Sequence, residues 1–202
     1  EVYEGKLSQK ESEMRALRAQ INPHFLYNSL SLINWKAIEY GQDDISGITL
    51  ALSNYYRTSL NKGKNTLTVK QELSNMESYL NIQQIMHDNS FDVVMDIDEN
   101  VLEYESLNLI LQPLVENAIE HGIDLLTDRR GVITVVAKLH NGLIHIEVKD
   151  NGIGMPKETA HTFLTSESGG YGARNVNDRL RLFYGEQYTL IVSSDENGTV
   201  IT

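Results

Sequence analysis

Apolar residues recur at helical spacing through the first forty positions. Leu7, Met14, Leu17 and Ile21 fall three, four or seven apart, the interval of a coiled-coil seam. The residues around them (Lys6, Lys10, Glu11, Glu13, Arg15, Arg18) are charged. The pattern predicts one long helix over 1–40, with Gly5 near its start and Gly41 beyond its end, and with a kink at Pro23 where a backbone hydrogen bond is lost. Past the proline, Phe25, Leu32 and Trp35 continue an apolar face, with Leu26, Leu30 and Ile33 close beside. So many apolar positions around one narrow helix imply burial on more than one side, as in a bundle.

After Gly41 and Asp43-Asp44, a second helix over about 45–61 carries Ile48, Leu52, Tyr55, Tyr56 and Leu60. Two helices joined by a few polar residues make an antiparallel hairpin. A lone hairpin buries little, so pairing with a second copy into a four-helix bundle is expected. A polar turn at 62–66 leads to a third helix over 69–87, with Leu73, Met76, Leu80 and Ile85 inward.

From Phe91 the pattern changes. Residues 91–97 read as a strand, and 106–122 as a helix with Leu107, Ile110, Leu111, Leu114, Val115 and Ala118 inward. Strands over 132–139 and 143–149 flank Asn141-Gly142, a hairpin dipeptide. Glycine-rich 151–172 precedes a helix over 173–184, and strands at 188–193 and 199–201 close a last hairpin around Asn197-Gly198. Helices followed by a mixed segment give an α+β chain of two domains, 1–66 and 67–202, with the third helix at the boundary.

Composition narrows the partners more than the fold. The 202 residues are 41% hydrophobic and 22% charged, an ordinary globular balance. A formal charge of −11 argues against nucleic acid, whose phosphates call for a cationic surface. The absence of cysteine excludes disulfides and thiolate metal sites. No apolar run reaches the ~18 residues of a membrane span. The chain lacks an initiator Met and stops within what reads as a strand, so a fragment of a longer protein is expected.

The chemistry begins at Val148-Lys149-Asp150-Asn151-Gly152-Ile153-Gly154-Met155-Pro156. Ile144, Ile146 and Val148 alternate with His145, Glu147 and Lys149, and one further step puts Asp150 on the apolar side. A carboxylate there needs hydrogen-bond donors. Beside glycines that permit close approach, it suits a flat heterocycle with an exocyclic amine, such as adenine. It suits equally a strand ending in an Asn-Gly turn, with Asp150 bonding its own turn amides.

Asn117 shares a helical stripe with Pro113 and His121, and is a neutral oxygen donor of the kind Mg²⁺ accepts; it is also an ordinary polar boundary residue. Gly169-Gly170-Tyr171-Gly172 feeds a helix N-terminus, whose free amides can hold phosphates, though glycine clusters are often plain loops. Residues 156–168 between them would cover the site.

Taken in order, Glu116-Asn117-Ala118, Asp150-x-Gly152-x-Gly154, Gly170-x-Gly172 and Gly198-Thr199 resemble the ATP-binding fold shared by histidine kinases, gyrase and Hsp90-type chaperones. Pro23-His24-Phe25-Leu26-Tyr27-Asn28 resembles the phosphoacceptor box of the LytS/YesM-type sensor histidine kinases. The stretch from Leu111 to Gly122 resembles that family's asparagine box, and Arg174-Asn175-Val176-Asn177-Asp178-Arg179-Leu180 its last helix.

The resemblance implies a helical-hairpin dimerisation and phosphoacceptor domain, then an α/β sandwich of Bergerat type with helices on one face of a mixed sheet. Asp150 would bond the adenine amine, with Thr199 near adenine through water. Asn117 would coordinate Mg²⁺, and Gly152, Gly154, Gly170 and Gly172 would line the phosphates. His121 suits a place in the pocket lining and equally a cap on its own helix. His24 would take the phosphoryl group from ATP and pass it to an aspartate of a response regulator receiver domain. Asn28, one turn on, would position a water for removing phosphate from that partner. The parent would be a membrane-anchored receptor with this portion on the cytoplasmic side.

Imidazoles titrate near neutrality, so histidine is a competent nucleophile at pH 7. The remaining histidines have no metal-ligand spacing, and only nucleotide-bound Mg²⁺ is expected. Three positions depart from relatives. Pro113 stands where gyrase-type ATPases carry the glutamate that activates water, so water is a poor acceptor here. Phe25 follows His24 where many histidine kinases carry an acid, which leaves the base unassigned. Relatives also tend to have a basic residue near Met86. The alternative is a nucleotide-binding conformational module without kinase activity.

Overall fold

The structure, a computed structural model, describes residues 23–59, 65–165 and 171–202. The chain divides into two compact units, 1–64 and 65–202. The seam from Leu7 to Ile21, and any kink measured against the residues before Pro23, lie outside the described residues.

In the first unit, α1 (Pro23–Glu39) and α2 (Asp43–Ser59) form the expected hairpin. Tyr27 Oη donates to the Tyr56 carbonyl (3.2 Å) and Ser46 Oγ to Asn34 Oδ1 (2.7 Å), so the helices run antiparallel. Gly41 takes a φ of +64° in the turn between them. Asp43 and Asp44 occupy the first turn of α2, where carboxylates favour the positive end of the helix dipole. Leu30, Ala37, Thr49 and Ala51 are buried. At 3.6 residues per turn, Phe25, Leu32 and Trp35 stand on the side of α1 opposite Leu30 and Ala37. They remain 71%, 60% and 67% exposed, a second apolar face that the hairpin itself does not cover.

The second unit begins with β1 (Thr66–Thr68), an unexpected strand that meets the expected polar turn only at Thr66, and continues into α3 (Val69–Met86); residues 62–64 of that turn lie outside the described residues. Thr68 caps that helix reciprocally: its Oγ1 accepts from Gln71 N (3.2 Å), and Gln71 Oε1 accepts from Thr68 N (3.1 Å). Next come β2 (Phe91–Ile97), β3 (Glu105–Leu107) and α4 (Leu111–Asn117). A π-turn (Ala118–Gly122) and a 3₁₀ turn (Ile123–Leu125) follow α4. The rest is β4 (Gly131–His140), β5 (Leu143–Asp150), α5 (Lys157–Thr162), α6 (Tyr171–Tyr184), β6 (Val192–Asp195) and β7 (Gly198–Ile201).

The helix expected over 106–122 is therefore shorter. Ser106 and Leu107 belong to β3, which pairs antiparallel with β1. Leu109 turns with φ +56°, and the amides of Leu109, Ile110 and Leu111 donate to the Glu72 carboxylate instead of starting a helix earlier. Pro113 falls in the first turn of α4, where its missing N–H costs nothing. The last hairpin also differs, because Asp195 pairs with Gly198 around Glu196-Asn197 and β6 starts only at Val192.

The main sheet runs β2–β4–β5–β7–β6, with β2 parallel to β4 and the other pairs antiparallel. Asn141 and Gly142, at φ +51° and +79°, make the β4–β5 turn that their residue types favour. On the buried face Ile133, Val135 and Ala137 sit opposite Asp150, Val148 and Ile146. Met76, Leu80, Leu114, Val115 and Val176 from α3, α4 and α6 join the same core, while His145 and Lys149 face out. This is the mixed α/β sandwich with helices on one face. Among the described residues no helix is long and apolar enough to cross a membrane.

Replacing Thr68 with Ala removes one half of the reciprocal cap on α3. Urea unfolding is expected to register a loss of about 1 kcal/mol, the usual cost of an N-cap hydroxyl, with Thr68→Ser close to wild type.

Candidate functional site

Asp150 ends β5 on the apolar face, opposite Ile133, and is 4% exposed. Its Oδ1 accepts from Gly152 N (2.8 Å) and Thr199 N (3.3 Å). Burial pushes the carboxyl above the usual aspartate range, and the amides of Gly152, Thr199 and Asp150 itself act in the opposite direction. The turn-amide reading is thus realised at Oδ1, while Oδ2 has no partner among the described residues.

The glycines around Asp150 are required by backbone approaching backbone. A Cβ on Gly122 would lie 2.7 Å from Asp150 Oδ1, and one on Gly152 would lie 2.4 Å from Gly122 Cα. Gly154 adopts φ +62°, and a Cβ there would lie 1.7 Å from the Asp195 carbonyl oxygen. On Gly198 it would lie 2.0 Å from the Asp150 carbonyl oxygen. The π-turn after α4, the loop after β5 and the β6–β7 hairpin therefore converge on one carboxylate.

Asn117 closes α4. Its Nδ2 donates to the Pro113 carbonyl (2.8 Å), which leaves Oδ1 as the acceptor. Asn117, His121, Asp150, Gly154 and Thr199 line one cavity, together with Gly122, Met155 and Phe163. Its free volume is about 30 Å³, room for roughly one water. Phe163, 6% exposed just past α5, and Met155 close it off.

The other expected residues lie elsewhere. Gly152 is buried behind the cavity against Gly122. Gly172 packs on Pro113, whose Cβ a Gly172 Cβ would meet at 3.0 Å. Gly170 lies outside the described residues. His24 and Asn28, both exposed, are in the first unit, with Asn28 Nδ2 3.3 Å from His24 Nδ1.

Three supporting groups carried no local sequence signal. Ser194 Oγ accepts from Met155 N (2.9 Å) and contacts the Gly198 carbonyl (3.0 Å) and Thr199 Oγ1 (2.9 Å), joining the loop to the last hairpin. Arg129 Nη2 donates to the carbonyls of Asn151 (2.9 Å) and Gly152 (3.0 Å). Asn151 extends the sheet edge, its Oδ1 accepting from Val132 N (2.7 Å) and its Nδ2 donating to the Arg130 carbonyl (3.1 Å). Its Asp-Asn-Gly context marked the turn but not these partners.

Gly122→Ala would drive a methyl into Asp150 Oδ1 and turn the carboxylate off its two amides. Hydrogen exchange at Gly152 and Thr199 is expected to speed up about tenfold, in line with the loss of a bond to a charged acceptor. Unchanged protection at both would show that the contact is slack.

Comparison with known proteins covers the chain in two blocks. Residues 12–91 match the family model described as histidine kinase. Residues 103–202 match that of the histidine kinase-, DNA gyrase B- and HSP90-like ATPase. The chain is 38% identical to the sensor histidine kinase YesM of Bacillus subtilis over 203 residues, covering 100% of this chain and 34% of that protein. It is 33% identical to the sensor protein LytS of Staphylococcus saprophyticus over 199 residues, covering 96% and 33%. The chain thus spans about a third of the length of the curated relatives it matches. Among solved structures, the histidine kinase ThkA in complex with the response regulator protein TrrA shares the fold at 16% identity. The TM-score is 0.51, with 98% of this chain and 62% of that one covered. With an ATPase sandwich following a helical hairpin, and relatives of one kind along its whole length, the chain belongs to the LytS/YesM-type sensor histidine kinases.

Proposed function

We propose that this chain is the catalytic core of a two-component sensor kinase, which binds Mg-ATP, phosphorylates His24 and passes the phosphoryl group to an aspartate of a response regulator. The observation that carries the reading is Asp150. It is a buried carboxylate with one oxygen pinned by two amides, and it shares a cavity with Asn117.

The unpartnered Oδ2 is a suitable acceptor for the exocyclic amine of adenine, which would satisfy a buried charge. Thr199, tied to Ser194, would hold a water beside the ring. Asn117 Oδ1, freed by the Pro113 contact, and phosphate oxygens would hold Mg²⁺, which supplies neutralisation of phosphate charge. Gly172, at the start of α6, would let phosphates approach that helix end. A purine needs far more than the present free volume, so Phe163 and Met155 must swing aside on binding.

In the transfer, a ring nitrogen of His24 forms the N–P bond. The bond from the γ-phosphorus to the bridging oxygen breaks, and ADP leaves with that electron pair. The displaced ring proton passes to solvent. For attack from Nε2, Nδ1 carries the proton and Asn28 turns its amide oxygen toward it. Pro113 offers no base for water, which favours an imidazole acceptor over hydrolysis.

The response regulator partner is inferred from the complex solved for ThkA. A second copy of this chain would cover Phe25, Leu32 and Trp35. Asn28 would serve in removing phosphate from the regulator, and the whole protein would be anchored in a membrane with this portion on the cytoplasmic side.

Incubation with γ-labelled ATP and Mg²⁺ is expected to give an acid-labile, base-stable label that is absent from His24→Ala. Asp150→Asn should weaken nucleotide binding by at least about tenfold, because an amide cannot offer the same paired acceptors. Nucleotide binding without any covalent label would favour a conformational module instead.

A further inference from the structure

The loop leading into α4 is gripped from two sides by side chains of opposite charge. Glu72, on α3 and 2% exposed, accepts from three consecutive amides. Leu109 N lies 2.9 Å from Oε2, while Ile110 N (2.6 Å) and Leu111 N (2.9 Å) converge on Oε1. From α6, Arg179 donates to the carbonyl of Leu109 (3.2 Å) and to that of Asn108. Burial pushes the Glu72 carboxyl above its usual range, and the amides and Arg179 draw it back.

A buried carboxylate is costly, and an apolar residue of similar volume would serve packing alone. What Glu72 adds is direction. The left-handed turn at Leu109 aims three amides, otherwise orphans at a helix start, at one charge. The short α4 begins there and ends at Asn117. Fixing the start of so short a helix fixes the position and rotation of its last residue. The grip spans α3 and α6, so α4 cannot slide along the sheet without breaking five hydrogen bonds.

We propose that Glu72 and Arg179 are positioning residues for Asn117, holding its oxygen where Mg²⁺ and the nucleotide phosphates meet it; this rests on the nucleotide reading above. Their removal should act on the metal-dependent part of nucleotide binding and leave the part that Asp150 carries.

The experiment measures the affinity of the full chain for ADP by calorimetry, with and without Mg²⁺, beside a urea unfolding curve for each variant. In wild type Mg²⁺ tightens ADP. In Glu72→Gln the Gln amide sets an NH₂ against a backbone N–H, and the Mg²⁺-dependent gain is expected to fall about tenfold, the usual loss when support for a metal ligand is removed. Mg²⁺-free ADP affinity should stay within about twofold, below the effect of one ordinary hydrogen bond. A folded variant that keeps the full Mg²⁺ gain, or that loses both affinities equally, overturns the proposal. Should Glu72→Gln not fold, Arg179→Lys keeps the charge without the fork to two carbonyls and is judged by the same two outcomes. A wild-type chain that binds no ADP would sink the nucleotide reading and the positioning role with it. One that binds ADP without any Mg²⁺ gain sinks the positioning role alone.

Discussion

A single carboxylate, driven into the apolar side of a sheet, sets the geometry of the second unit. Asp150 sits where alternation would place a valine or isoleucine, and such a charge persists only if donors are brought to it. The chain brings two amides, from Gly152 and Thr199, out of segments far apart in sequence. Doing so pulls the β6–β7 hairpin onto the loop after β5, close enough that Gly154 and Gly198 tolerate no Cβ. Gly122 meets the same carboxylate from the end of the asparagine helix. Asp150, Gly122, Gly154 and Thr199 together form one side of the cavity that results.

The wall opposite depends on a different device. The asparagine segment runs from α-helix into a π-turn, which changes the phase between Asn117 and His121 and still leaves both on the cavity. Pro113 has two consequences there. Its carbonyl orients the Asn117 amide, and its ring gives Gly172 a surface to pack on. The position that gyrase-type relatives use for water activation thus serves in this chain to align an amide and seat a helix. In the first unit, α1 carries apolar side chains on opposite sides, one closing the hairpin and one exposed.

Elements with local causes were legible in the sequence. The strand over Phe91–Ile97, the Asn141-Gly142 hairpin, the paired helices and the buried placement of Asp150 follow from periodicity and turn chemistry. Elements whose cause lies elsewhere in the chain were not. The start of α4 is displaced to Leu111 by Glu72, and no local pattern announces a capping residue on another helix. The strand β1 exists only because β3 pairs with it. Likewise the glycines after Asp150 were legible as close-approach positions, but what approaches them is Gly122, Asp195 and Asp150 itself. Ser194 and Arg129, which tie the loop down, look in sequence like any polar surface residue. Phe163, which fills the cleft, reads only as part of a covering loop.

On the proposed reading, Asp150 Oδ2 and Asn117 Oδ1 bracket the two ends of one nucleotide. A crystal structure of the chain grown with Mg²⁺ and a non-hydrolysable ATP analogue tests it directly. The expected result is the purine amine within hydrogen-bonding distance of Asp150 Oδ2, the metal on Asn117 Oδ1, and Phe163 displaced from its present position. A nucleotide bound elsewhere, with Phe163 still in the cleft and Asp150 untouched, would contradict it.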